Sequence, residues 1–337
     1  MRPWDYPVFQ PKNFLAGVVL GVVIMGMGYI MWNQSNKIDY VAATPMPTPT
    51  PSPESNQISM ILVGDIMLSR QVGEKIAASG DWRYPFLRIK DFLESADLAV
   101  ANLENPVSNR GIRVGSVYSF RADPRTLAGL KYAGIDIVSL ANNHIWDYGR
   151  EAFLDTMMHL TDRGIFYIGA GRDATEAHAG VTMTVKGTSI TFLGYTDLLS
   201  RQLNATAITP GVAIYDEVSM VRDVQVARAK SDIVVVSFHT GTEYETHHNA
   251  AQEQIYTAVI NAGADLVIGH HPHVIQEVLK YKNGWIAYSL GNFIFDQSFS
   301  VETTEGIALK VIVDEKKISK VEKIPIGISL DSQAYLK

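Results

Sequence analysis

Six short runs of apolar and β-branched residues along the chain each lead into a polar cluster. Asp65 follows the run at 59–64, Glu104 the run at 98–102, and Asn142-Asn143-His144 the run at 137–141. His239 follows 233–238, His270-His271-Pro272-His273 follows 264–269, and Asn292 follows 286–291. Short apolar runs spaced this widely read as buried parallel strands. In open α/β sheets, binding groups gather at the carboxyl ends of the strands. The pattern therefore predicts strands that deliver carboxylate, amide and imidazole groups to one rim, the layout of a metal-assisted site.

Between the strands, apolar spacing predicts helices over 68–79, 124–134, 150–163, 216–230 and 249–262, and an amphipathic stretch at 85–97. Pro124 opens and Gly134 closes the second of these helices. Strand pairs are expected near 180–195, and 307–313 with 318–326 alternates like antiparallel strands. Residues 105–120 are polar and glycine-bearing without helical periodicity, a loop that reads as a lid or binding loop. No repeat or second linker interrupts 58–330, which reads as one α/β domain, a sandwich of two sheets with helices outside.

The first residues are of another kind. Phe14 to Trp32 is uncharged and apolar, close to the roughly 20 residues that a membrane-crossing helix needs. Tyr29 and Trp32 would lie at one interface, and Arg2 and Lys12 before the run predict a cytoplasmic tail at 1–13 with the globular domain outside the cell. A cleaved signal peptide is the competing reading, although the apolar core is long for one. Gly17 and Gly21 form a GxxxG pair, common in such helices. Residues 33–57 then form a linker with proline at alternate positions from Pro45 to Pro53, an extended spacer.

Composition narrows the chemistry. A formal net charge of −6 and the lack of a basic stripe argue against a nucleic-acid partner. The absence of cysteine excludes disulfides, zinc–thiolate sites and thiol nucleophiles. No GxSxG elbow, Walker loop or dinucleotide fingerprint occurs.

Each polar cluster has a functional and a plainer account. Asp65 after Gly64 could be turn chemistry, and Glu104 a helix cap. In Asn142-Asn143-His144 with Asp147, an amide oxygen suits a hard metal, His144 can donate a proton and Asp147 can orient its ring. An asparagine-rich turn capped by Asp147 is the plainer account. The 270–273 cluster weighs most, with three of the chain's nine histidines in four positions. Imidazole suits zinc, iron and manganese. Pro272 is expected to keep the cluster extended, so that His271 and His273 converge as ligands and His270 supports them. Gly241 lets a ligand approach near His239. Glu243 on the next turn, Asn142 and Asn292 are assigned to the substrate side or to the support of the ligands. His247 and His248 read as surface or substrate-side, and His159 and His178 as ordinary helix or loop residues. Together the clusters fit one or two divalent ions that polarise a phosphoryl or carbonyl oxygen and acidify a water, with His144 as general acid.

On these motifs the chain resembles the capsule-synthesis protein CapA family, also called PgsA-like and associated with bacterial poly-γ-glutamate production. The matching stretches are GDIML (64–68), NLE (102–104), SLANNHIWDYG (139–149), HTGTEY (239–244), IGHHPHVIQ (268–276) and YSLGNFIFD (288–296). It is similar, more distantly, to the calcineurin-like metallophosphoesterases, which implies a four-layer αββα sandwich after the transmembrane helix and a two-metal site. On that resemblance Asp65 stands for the superfamily's first aspartate and Glu104 for its bridging aspartate. Asn143 with His144 stands for its Asn-His pair, His239 for its isolated histidine, and His271 with His273 for its closing His-x-His. The sequence departs from the pattern at Met67, where the superfamily has a histidine ligand. It departs again at Glu104, a methylene longer than aspartate, and at Thr240, where the family usually has tryptophan. One or two ions of manganese, zinc or iron are implied.

Two functions follow. One is a surface-anchored, metal-dependent hydrolase or transferase acting on a phosphoester or on the γ-amide of a polyglutamate chain. The other is a non-catalytic accessory or export subunit of a polyglutamate synthase, with a vestigial site. Both give the protein the membrane and synthase subunits as partners. An acidic polymer would be repelled by a negative domain unless a metal or a basic patch received it. Arg110, Arg113, Arg121 and Arg125 could form such a patch, or simply a solvated face.

Overall fold

The computed structural model describes residues 22–31, 56–114 and 117–337. The chain divides into two units, Met1–Glu54 and Ser55–Lys337. In the first, residues 22–31 are helical (α1) with apolar side chains such as Met25 and Met31 exposed. The rest of the predicted membrane span and almost all of the proline-rich linker lie outside the described residues. Among the described residues, no helix is long and apolar enough to cross a membrane.

The second unit is built on two sheets. The first contains β1 (Ile58–Ile66), β2 (Leu98–Leu103), β3 (Ile137–Ser139) and β4 (Phe166–Ile168). The short pair β5 (Ala170–Gly171) and β8 (Gly211–Val212) stands apart. The second sheet contains β6 (Val181–Val185), β7 (Thr188–Thr196), β9 (Ile233–His239), β10 (Leu266–His270), β11 (Val278–Tyr281) and β12 (Gly284–Ala287). The chain then returns to the first sheet as β13 (Asn292–Ile294), β14 (Glu305–Asp314), β15 (Lys317–Ile328) and β16 (Ala334–Leu336). The first sheet runs β16-β15-β14-β1-β2-β3-β4 with β13 also on β1, and the second runs β11-β12-β10-β9-β7-β6.

Strand alternation sorts the side chains into three layers. Met60, Leu62, Val100, Phe192, Val235 and Ile268 meet between the sheets. Ile61, Val63 and Ala101 face the other way, onto α2 (Arg70–Ser79), α4 (Leu127–Tyr132) and α5 (Gly149–Asp162) through Val72, Leu130 and Phe153. Val234, Val236 and Val267 face α7 (Glu217–Lys230) and α8 (Ala250–Ala262) through Val224, Tyr256 and Val259. Helices therefore cover both outer faces of a sheet pair, the α/β sandwich expected. Caps place the helices: Asn249 and Gln252 form a reciprocal capping box at α8, with both hydrogen bonds at 2.9 Å.

Most expected elements are found, with local differences. The amphipathic stretch at 85–97 yields a 3-10 turn at Tyr84–Phe86 and then the short α3 (Lys90–Glu94), because Pro85 opens a tight turn. At the rim, two glycines let strands close in. A Cβ on Gly64 would lie 1.9 Å from the Gly291 carbonyl oxygen, and one on Gly269 would lie 1.9 Å from that of Tyr288. Only glycine permits the backbone approach that brings β13 and the chain after β12 against the ligand-bearing strands.

Candidate metal centre

The carboxyl ends of the central strands converge. Asp65 is the penultimate residue of β1, Glu104 directly follows β2, and His239 and His270 end β9 and β10. Asn142 to Asp147 form the turn after β3, while Asn292 opens β13 and pairs in register with Asp65. Asp65, Glu104 and His239 are fully buried, and His271 and His273 nearly so.

Two overlapping donor sets result. Glu104, His271 and His273 offer ligand atoms within 4.8 Å of one another, and so do Asp65, Glu104 and His239. Glu104 Oε1 lies 3.6 Å from His273 Nε2 and 3.9 Å from His239 Nε2. His273 Nδ1 is 3.4 Å from Asp65 Oδ2, and His239 Nε2 is 2.9 Å from Asn143 Oδ1. On these residues, Glu104 Oε1 and His271 Nδ1 are buried without a hydrogen-bond partner. Buried polar atoms are nearly always satisfied. An oxygen and a nitrogen left open inside a carboxylate–imidazole cup fit a divalent cation.

Supporting residues hold the donors in place. Asn102 donates to Asp65 Oδ1 at 2.9 Å and to Glu104 Oε2 at 3.3 Å, and its amide lies 3.3 Å from His239 Nδ1. Asn142 donates to Asn102 Oδ1 at 3.1 Å and to the Leu103 carbonyl at 2.9 Å. Asn292 Oδ1 lies 2.9 Å from His273 Nδ1. His270 Nδ1 stands 3.0 Å from Asp65 Oδ1 without the alignment of a hydrogen bond. Sequence reasoning assigned Asn102 no role, because a buried amide beside a glutamate carries no signal without the fold.

The 270–273 cluster differs from expectation. His271 and His273 have φ of +100° and +59°, so the segment turns where Pro272 was expected to keep it extended. Tertiary bonds outweigh the local preference: the His271 N–H donates to Asp65 Oδ2 at 3.3 Å, and the Pro272 carbonyl accepts the Tyr244 N–H at 2.8 Å. Backbone held in this region by its surroundings is frequent at functional sites.

Burial and crowding set the charges. Burial pushes Glu104 well above the usual carboxylate range, and the charge of Asp65 adds to it. Burial would also raise Asp65, but the close approach of the His270 and His273 rings outweighs it and holds that carboxyl well below its ordinary value. Burial and the neighbouring imidazoles push His239 far down and His271 to about 3, leaving both neutral, the form that ligates metal.

Beside the cup lies a pocket of about 330 Å³ lined by His144, His273, Glu243, Tyr118, Tyr244 and Phe299, among others. His144 Nδ1 lies 2.8 Å from Asp147 Oδ2, and that oxygen also accepts the Phe120 N–H at 2.7 Å. The Phe120 ring stacks on His144 at 3.9 Å, and Arg70, paired with Asp296, lies over Phe120 at 4.8 Å. Phe120, Arg70 and Asp296 escaped sequence reasoning, since their partners lie far along the chain.

Other candidates have partners elsewhere. His247 and His248 both reach Glu277, and His248 stacks on Tyr288 at 3.7 Å. His178 lies 2.7 Å from Asp223, on the α7 side of the second sheet. Arg110 pairs with Asp155 and Arg125 with Asp123, while Arg121 donates to the Arg110 and Gly111 carbonyls and Arg113 to Ser119. These local partners favour the plainer account of the four arginines.

A family model described as bacterial capsule synthesis protein PGA_cap matches residues 59–297. The chain is 33% identical over 288 residues to the capsule biosynthesis protein CapA of Bacillus anthracis, covering 82% of this chain and 68% of the relative. It is 31% identical over 283 residues to the PGA biosynthesis protein CapA of Bacillus subtilis, covering 83% of this chain and 74% of the relative. Among solved structures it is similar to the calcineurin-like phosphoesterase YfkN from Bacillus subtilis. There the TM-score is 0.40 and the identity 13%, over 80% of this chain and 90% of that one.

Proposed function

Since the chain belongs to the bacterial capsule synthesis protein PGA_cap family, we propose that it is a metal-dependent hydrolase or transferase of capsule polymer synthesis. The reading includes a membrane anchor near the N-terminus and a catalytic domain outside the cell. The observation that carries it is the pair of buried open atoms, Glu104 Oε1 and His271 Nδ1, on residues of the two overlapping donor sets. Asp65, Glu104, Asn143, His239, His271 and His273 would hold one or two divalent ions. Such an ion supplies Lewis-acid polarisation of a carbonyl or phosphoryl oxygen and lowers the pKa of a water.

The chain's own residues supply the rest. His144, held through Nδ1 by Asp147, presents Nε2 for proton transfer to a leaving group. Asn102, Asn142 and Asn292 fix the ligands. The substrate is either a phosphoester or a γ-glutamyl amide, and the partners are the membrane and polyglutamate synthase subunits.

One observation favours the accessory reading. Met67, where the superfamily pattern has a ligand histidine, is buried and its sulfur accepts from the Ser69 N–H at 3.2 Å. A donor of the first ion is thereby replaced by a thioether with a neighbour of its own.

Metal content decides between the two. Mass spectrometry of protein purified without chelator is expected to find one or two transition-metal ions per chain, lost in His271→Ala/His273→Ala. Protein that stays metal-free after exposure to manganese, zinc and iron would sink the enzyme reading and leave the accessory one.

A further inference from the structure

The pocket beside the metal cup is lined by one arginine, held in an unusual way. Arg70 opens α2 with φ of +50°, a backbone uncommon for a side chain of its size and kept where the surroundings over-determine it. Asp296, its side chain 1% exposed, accepts from Arg70 Nε at 3.0 Å and from Nη2. The guanidinium lies over Phe120, whose ring stacks on His144. A guanidinium has five N–H groups, and Nη1 makes no hydrogen bond among the described residues. The Arg70 side chain is 33% exposed, at the pocket that His144 and His273 also line. A brace between α2 and the chain after β13 would need only the edge that Asp296 holds. An arginine fixed along one edge and open along another suits an oxyanion.

We propose that Arg70 receives an oxyanion of the substrate, a carboxylate or a phosphate distinct from the group at the metal ligands. This rests on the hydrolase or transferase reading, for a reason of charge. Against one arginine the lining has two carboxylates, Asp296 and Glu243, so an anion enters only where divalent ions in the cup add their charge. With the reacting group at the ligands of the cup, Arg70 fixes how the rest of the substrate lies. A substrate without a second anionic group is taken poorly.

Calorimetry of the full chain in detergent, after exposure to manganese, tests this with three hydroxamates, whose paired oxygens seek the metal. They are acetohydroxamate and the monohydroxamates of succinate and of phosphonopropionate. One of the two acids is expected to bind about 10-fold tighter than acetohydroxamate, the scale of one hydrogen bond to a charged group. Which acid it is names the oxyanion. Arg70→Gln/Asp296→Asn, which leaves no buried charge unpaired, should remove the preference. If that variant does not fold, Arg70→Lys, which keeps the charge and gives up the fork, should lower it. In protein that holds metal, no preference for either acid, or a preference that these variants keep, overturns this inference alone. Protein that takes up no metal and binds none of the three overturns the enzyme reading and this inference together. A preference that depends on Arg70 in metal-free protein sinks the enzyme reading and leaves the oxyanion site standing.

Discussion

Asp147 receives two hydrogen bonds at a single oxygen, from the His144 ring and from the Phe120 backbone. The first fixes Nδ1 as the protonated nitrogen and leaves Nε2 to exchange a proton. The second ties that geometry to the end of the long 105–120 loop. Phe120 itself stacks on His144, and Arg70 lies over its ring. Asp147→Asn preserves shape but replaces the carboxylate that meets Nδ1 and orients the ring. If the protein is the hydrolase or transferase proposed above, the expected result is a fall in kcat of about 10²- to 10⁴-fold with any bound metal retained. Undiminished kcat would remove His144 and Asp147 from proton transfer. The pair was legible in the sequence because both residues sit in one turn. Phe120 was not, since nothing local marks a loop aromatic as the cover of a distant imidazole.

At the scale of elements, strand ends were legible and turns were not. Runs such as 233–238 alternate between two buried faces, so hydrophobicity alone announces them. The turn through His271 and His273 obeys contacts with β1 and with the loop after β9, which no local rule contains. That loop, carrying Glu243 and Tyr244, is fastened by His247 and His248 to Glu277, directly before β11. Burial would raise Glu277, but its bonds to His248 and His247 outweigh this and hold it at about 2, against an ordinary 4.5. A folded-state pKa below the unfolded one stabilises fully above the unfolded value and is lost as pH falls through the folded one. Stability is therefore expected to drop between pH 4.5 and about 2. The contribution is at most about 1 kcal/mol, since the carboxylate is partly solvated. Urea midpoints across that window should fall less steeply for Glu277→Gln, and parallel curves would show that the fastening does not act through this charge.

On the whole molecule, the layer architecture followed from alternation, whereas the strand order did not. The first sheet places β1 between β14 and β2, and then adds β13 beside it in parallel. Such an arrangement depends on chain ends meeting and leaves no periodic trace. The division of the chain at Glu54 and Ser55 carries a further expectation. A fragment beginning at Gln57 should unfold in urea with the free energy of the full chain, within the roughly 10–15% of the extrapolation. A clearly less stable fragment would mean that the preceding residues brace the domain.

The metal cup also sets an order of events during synthesis. Its donors come from Asp65 near the start of the second unit to His273, and its wall is finished by Asn292 on β13, which must lie down against β1. A nascent chain on the ribosome therefore holds no finished cup until most of it has emerged. On the metal-dependent reading, ions would be captured at the close of folding, and prematurely terminated chains would be poor scavengers of metal.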